Sequence, residues 1–277
     1  MGILLALASA VVYGVVDFAG GILSRKAHYA FVAWVGQAGG LACALVIALI
    51  VPAQHIGGTD LAWGALSGVG SAVTMLFLNR GLSRGAMSTV LPISAVTGVA
   101  LSVLAGVLFL DEQPAVLAWF GFTVMLPALW LVSRGRNTDG TQPAAVRDGL
   151  IASAGVAVQY IGLGMAAPES GLWAVAAGRV AAVIVLTPTV LPLRRVRPFT
   201  WSDAGKALAI GAGAAIGLAL YLLATREQLL AVAVTLASLY PAIPVLLGVF
   251  VLRERCTRGQ VVGLVCATAA VVLLSSA

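Results

Sequence analysis

Ten apolar runs, separated mostly by short polar stretches, constrain this chain more than any other feature. They are 2–24, 29–52, 61–79, 86–110, 115–133, 149–167, 171–192, 204–224, 229–252 and 258–275. Each is close to the roughly 20 residues that an α-helix needs to cross a bilayer core about 30 Å thick. In hydrocarbon no water is present to satisfy the backbone, so each run is expected to close its hydrogen bonds internally as a helix. A soluble fold is excluded by composition. The chain is 61% hydrophobic and 9% charged, with a mean hydropathy of +1.05, and such a fold would expose far more apolar surface than a monomer tolerates.

The runs are duplicated. The stretch LLAVAVTLASLYPAIPVLLGVFVLRER, 229–255, aligns at an offset of 142 residues, end residues apart, with AMSTVLPISAVTGVALSVLAGVLFLDE, 86–112. Matches of Val or Leu between membrane spans mean little, because few residue types are used there. Gly106/Gly248 and Glu112/Glu254 mean more, and Gly20/Gly162, Gly36/Gly178 and Gly121/Gly263 keep the same offset. Polar positions coincide in place but not in type, as Asp17/Gln159 and Gln37/Arg179. The expected halves are 1–137 and 149–277, joined by 138–148 within the polar stretch 134–148. Five spans is an odd number, so the second half enters the membrane from the opposite side. An all-α polytopic protein follows, with ten transmembrane helices in an inverted 5+5 repeat around a central cavity.

Basic residues set the expected orientation. The sequence has 16 Lys and Arg; fourteen lie in or beside the loops after spans 1, 3, 5, 7 and 9, Arg226 lies in the other set, and Arg179 lies within a span. The first set is therefore cytoplasmic by the positive-inside rule, which puts both termini outside. The net charge of +6 is spread one to three residues at a time between spans, so it reads as a topology signal and not as a nucleic-acid surface. The first span has no basic leader or small-residue cleavage site and is expected to be a retained helix.

Two ionisable side chains fall well inside spans, Asp17 and Arg179. Each would cost about 2.5–3.5 kcal/mol at a helix centre on insertion scales, so each is expected to face the bundle interior or water and to mark function. Three roles are open: the two ends of a zwitterion site, with Asp17 on an ammonium and Arg179 on a carboxylate; an internal salt bridge; or proton coupling through Asp17. Tyr13, Trp34, Gln37, Asn79, Ser94, Gln159, Tyr160, Tyr221, Ser238 and Tyr240, with Thr74, Thr97 and Thr235, lie at compatible depths. Apolar walls with a few convergent polar groups suit a small-molecule pocket, although any one Ser or Thr can instead bond its own helix. Trp63, Trp119, Trp130, Trp173 and Trp201 lie near span ends, where interfacial tryptophans belong.

Pro92, Pro241 and Pro244 are candidate hinges, since proline within a span removes a backbone hydrogen bond; ordinary membrane-helix prolines are the alternative. The GxxxG pairs Gly36/Gly40, Gly64/Gly68 and Gly213/Gly217 allow close helix approach. Glu112 and Glu254 end their spans against the helix dipole and each needs a partner, either a neighbouring Arg or the N-terminus of the next helix. The three scattered cysteines, Cys43, Cys256 and Cys266, form no metal or disulfide pattern. No HExxH, GxSxG or Walker loop is present, so neither an enzyme, a cofactor, a metal nor an ATP-driven pump is indicated.

The stretches LASLYPAIPVLLGVFVLRERCTRGQVVGLV, 236–265, and the weaker copy PISAVTGVALSVLAGVLFLDEQP, 92–114, resemble EamA-type members of the drug/metabolite transporter superfamily. Val99 stands where the second half has Pro241, a departure from the pattern. The resemblance implies a ten-helix fold in which the first four helices of each half line the cavity and the fifth and tenth lie at the periphery. It also implies secondary export of small metabolites, commonly amino acids, from a bacterial inner membrane. Expected partners are the lipid bilayer and a small-molecule substrate. An apolar or aromatic amino acid is favoured by the tyrosine-rich pocket, with a lipophilic-cation exporter and a channel or non-transporting membrane protein as alternatives. Small-residue faces permit a homodimer but equally a monomer.

Overall fold

A computed structural model describes residues 1–51, 53–109, 116–133, 142–195, 200–227, 240–254 and 256–275. Its helices are α1 (Gly2–Lys26), α2 (Tyr29–Ile50), α3 (Gly58–Arg84), α4 (Met87–Phe109), α5 (Val116–Ser133), α6 (Gln142–Met165), α7 (Trp173–Val190), α8 (Trp201–Glu227), α9 (Ala242–Phe250) and α10 (Arg258–Ser275). Among the described residues there is no strand. Six of the helices, α1, α2, α3, α6, α7 and α8, are long and apolar enough to cross a membrane on their described residues alone. The chain is a multi-pass membrane protein.

Large apolar side chains face outward: Leu4, Leu49, Ile50, Phe120, Leu126, Ile184 and Phe250 are all exposed. The interior is instead rich in alanine, with Ala6, Ala72, Ala128, Ala145, Ala152, Ala182, Ala207 and Ala224 fully covered. Lipid tails are as apolar as leucine, so burying leucine gains little there. Helices associate through close backbone approach, which small residues allow.

The packing repeats when the halves are exchanged. Along α3 lie α6 and α7; along α8 lie α1 and α2, their repeat equivalents. In the same way α4 packs on α6 while α9 packs on α1. Helix α5 packs on α10 and α4 alone among its substantial neighbours, which leaves α5 and α10 peripheral, as the resemblance implies. Gly36 and Gly178, one repeat pair, make the same crossing: Gly36 meets Gly211 of α8, and Gly178 meets Gly68 of α3. All three GxxxG pairs sit at helix crossings, with Gly213 and Gly217 receiving Val16 and Tyr13 of α1.

Equivalent helices run in opposite senses. Arg25, at the C-terminus of α1, donates to Leu82 O and Gly85 O at the C-terminus of α3, each at 3.1 Å. Asp148, near the start of α6, is held against that same end of α3 by Arg80, through bonds of 3.0 and 2.6 Å. So α1 ends where α6 begins, as an inverted repeat requires. Helix α6 starts at Gln142, inside the expected linker 138–148; the buried Asp148–Arg80 pair orders its first turns, and Pro143 suits a helix start.

The prolines have distinct settings. Pro92 lies inside α4, which stays helical from Met87 to Phe109. Pro241 caps the start of α9 and Pro244 falls in its first turn, where a missing N–H breaks no helical bond. Residues 228–239, which include Thr235, Ser238 and the start of the expected ninth span, lie outside the described residues, as does Glu112.

Glu254 does not cap the next helix. A left-handed turn at Arg253 (φ 54°) carries it back to the start of α4, where its carboxylate accepts from Met87 N at 2.9 Å and Ser88 N at 3.0 Å. Arg25 of α1 pairs with it at 3.3 Å. One carboxylate thus receives the free N–H groups at a helix start and a guanidinium, joining α1, α4 and α9.

Candidate functional site

Midway along the bundle, Asp17 of α1, Gln37 of α2, Asn79 of α3 and Arg179 of α7 line one cavity of about 30 Å³, closed on the α8 side by Ile210, Gly211 and Ala214. That volume holds one or two waters and no metabolite. The walls come so close because they are built from Gly20, Gly36 and Gly211.

Arg179 is 7% exposed and Gln37 1%. The Arg179 Nη1 donates to Gln37 Oε1 at 2.6 Å, and Gln37 Nε2 donates to Ser71 Oγ of α3 at 2.9 Å. Gln37 and Arg179 are repeat equivalents, 142 residues apart. Two equivalent positions can touch only where the two halves meet their own pseudo-twofold axis, so this hydrogen bond marks the axis.

Asp17 and Arg179 share the cavity wall without pairing. The salt bridges among the described residues are Arg25–Glu254, Arg80–Asp148, Arg84–Asp148 and Lys206–Asp203. Of the three open roles, the internal salt bridge is not seen among the described residues: Arg179 turns to Gln37, and the Asp17 carboxylate has no hydrogen-bond partner among them. Tyr13 lies one turn before Asp17 on α1, close enough to Asp17 and Arg179 for electrostatic interaction with both.

Four of the chain's five tyrosines converge here. Tyr160 and Tyr221 are electrostatic neighbours of Tyr13, and Tyr240 is a neighbour of Tyr13, Tyr160 and Asp17. The Tyr13 and Tyr240 rings lie 6.2 Å apart and tilted by 57°, while Gly217 of α8 leaves room for the Tyr13 ring. Tyr160 keeps 50% of its surface accessible although it lies deep within the protein envelope.

Other expected residues fall elsewhere. Trp34 joins α2 to α7 through its indole N–H, 3.0 Å from Thr187 Oγ1, and does not line the cavity. Gln159 sits where α6 presses on Gly70 of α3. Thr74 bonds Ala152 O of α6 at 3.2 Å, and Ser94 is buried in α4. Ser71 belongs to the site but has no distinctive sequence signal of its own. Its clue is position, on the small-residue face of α3 that continues from Gly64 and Gly68.

Ten apolar helices in two interlocked, oppositely directed halves, with a polar centre between them, define a duplicated membrane-transport architecture. The family model described as "EamA-like transporter family" matches residues 1–134 and 149–276, once in each half, and the chain belongs to that family. A solved crystal structure of a protein is similar in fold, with a TM-score of 0.61 over 100% of this chain and 99% of that one, at 13% identity. No curated protein matches significantly.

Proposed function

We propose that this protein is a secondary transporter that exports small zwitterionic metabolites, most specifically amino acids with apolar or aromatic side chains, by alternating access. One observation carries the reading: the two halves contribute opposite charges, Asp17 and Arg179, to one central cavity, and neither charge has an ionic partner among the described residues. An uncompensated charge at this depth is costly. A zwitterion supplies both missing counter-charges at once, its ammonium to Asp17 and its carboxylate to the Arg179 fork. The tyrosines near Asp17 suit an apolar or aromatic side chain and add cation–π attraction for the ammonium. A cavity of about 30 Å³ cannot admit such a substrate as it stands, which supports a cycle with an occluded state over an open channel. The basic loops favour an inner-membrane location with both termini on the non-cytoplasmic side.

Counterflow in proteoliposomes tests the proposal, using labelled amino acids and comparing wild type with Asp17→Asn and Arg179→Gln. Exchange of at least one amino acid by wild type, lost in the folded Arg179 variant, is expected. If a lipophilic cation moves, no amino acid does, and Asp17 alone matters, the protein is a cation exporter instead.

A further inference from the structure

We propose that Gln37 sets the charge specificity of the central site: its neutral amide fixes Arg179 on the pseudo-twofold axis without discharging it, and so reserves the guanidinium for an anionic group on the substrate. The inference deepens the zwitterion reading and rests on the same cavity.

The amide orientation is fixed by chemistry. Guanidinium has only donors, so Gln37 must present Oε1 to it, and the amide NH₂ must find an acceptor elsewhere. Ser71 supplies that acceptor, through Oγ at 2.9 Å and its carbonyl at 3.5 Å. The Ser71–Gln37–Arg179 chain therefore has one direction, and it holds one edge of the guanidinium. The stem of Arg179 runs past Gly40, whose missing side chain leaves space beside Cδ and Nε.

The rest of the guanidinium is left for a ligand. Among the described residues Gln37 is its one hydrogen-bond partner, yet no Arg179 nitrogen is both sealed off and unbonded, as Ser24 Oγ and Thr97 Oγ1 are. Its remaining N–H groups therefore face the cavity. Arg80 shows the alternative, since its guanidinium is engaged by Asp148 through two hydrogen bonds. A glutamate at position 37, with the same length and the same reach, would do to Arg179 what Asp148 does to Arg80. The neutral amide is what keeps the charge uncompensated.

Position adds a second consequence. As the halves exchange conformations across the membrane, a group on their axis keeps the same relation to both, so an anchor held there serves a substrate arriving from either side.

The test is binding to purified protein in detergent, read as ligand-induced thermal stabilisation. The probes are phenylalanine, 3-phenylpropionate, which lacks the ammonium, and phenethylamine, which lacks the carboxylate. Wild type should bind both carboxylates. Gln37→Glu should fold at least as stably but bind them at least about ten-fold more weakly, the scale of one lost charge-assisted contact, with the amine bound as well as before or better. Gln37→Met, which frees Arg179 without neutralising it, should also weaken 3-phenylpropionate binding, and this variant decides the matter if Gln37→Glu does not fold. Wild-type affinity for 3-phenylpropionate in the folded Gln37→Glu protein, or in Gln37→Met where the glutamate variant does not fold, overturns the proposal. So does a wild type that binds no carboxylate. Carboxylate binding that Gln37→Glu abolishes, without counterflow of any amino acid, would leave this inference standing and remove the amino-acid reading.

Discussion

The two ends of the molecule are built on one plan and fastened differently. At the arginine-rich end, Arg25 reaches Glu254, and Arg80 and Arg84 reach Asp148. Shifting these residues by the repeat offset gives their counterparts at the other end: Arg25 becomes Ala167, Arg80 becomes Leu222 and Asp148 becomes Ala6, while Arg84 and Glu254 keep their charge as Arg226 and Glu112. Where one end has a buried ion pair, the other has Ala6 packed against Ala224. The glycine crossings, by contrast, are kept in both halves. Backbone approach depends on the absence of a side chain, which any repeat can share. Fastening depends on which charges are present, and there the halves have diverged at three of the five positions.

This contrast can be broken at graded cost. The largest effect is expected from Asp148→Ala, which takes from Arg80 and Arg84 their shared carboxylate; Arg80 stays partly exposed, so the cost is about 3 kcal/mol, the low end for breaking a buried pair from one side. Its counterpart Ala6→Ser should cost far less, and thermal unfolding of both variants in detergent measures the difference. Next come Gly68→Ala and Gly211→Ala, whose new methyl groups would press into the backbone carbonyls of Gly178 and Gly36. Overpacking of that kind costs about 1–3 kcal/mol, and a melting temperature equal to wild type for both would refute the close crossings. Glu254→Gln should follow, at about 1–2 kcal/mol, because the cap on α4 loses its charge but keeps an acceptor. Hydrogen exchange at Met87 and Ser88 should rise in that variant, and unchanged protection there would deny Glu254 its capping role. Smallest is Gly36→Ala, within about 0.5 kcal/mol of wild type, because the added methyl meets only Ala207 O at 3.7 Å. The repeat partner Gly178→Ala would press on Gly64 O at 2.8 Å, so equal losses from the two would contradict the geometry.

Much of this architecture is legible in the sequence because a bilayer permits so few solutions. Span length, the 142-residue offset and the polar stretch near 134–148 together give ten helices in two opposed halves. Asp17 and Arg179 stand out as functional candidates because a charge at that depth needs a reason. Gln37 also stands out, as the repeat partner of Arg179. What does not show is lateral proximity. Asp17 and Arg179 lie at similar depths, and depth alone makes a salt bridge between them plausible, but the structure gives Arg179 to Gln37 and leaves Asp17 beside Tyr13. Glu254 clearly needs a partner, yet nothing along the chain points 166 residues back to Ser88.

The sequence by itself determined how many times the chain crosses the membrane, that its halves are copies running in opposite senses, and which polar groups fall within the apolar runs. Those follow from a fixed rise per residue and from the cost of exposing backbone or charge to hydrocarbon. Only the tertiary structure decided which helices are neighbours and how each is rotated about its axis. That choice made an axial pair of Gln37 and Arg179, a cap of Glu254, and an acceptor for Gln37 of Ser71. Rotation and neighbourhood depend on which small residues let which backbones approach, and glycine and alanine are too common along these spans for their partners to be read from order alone.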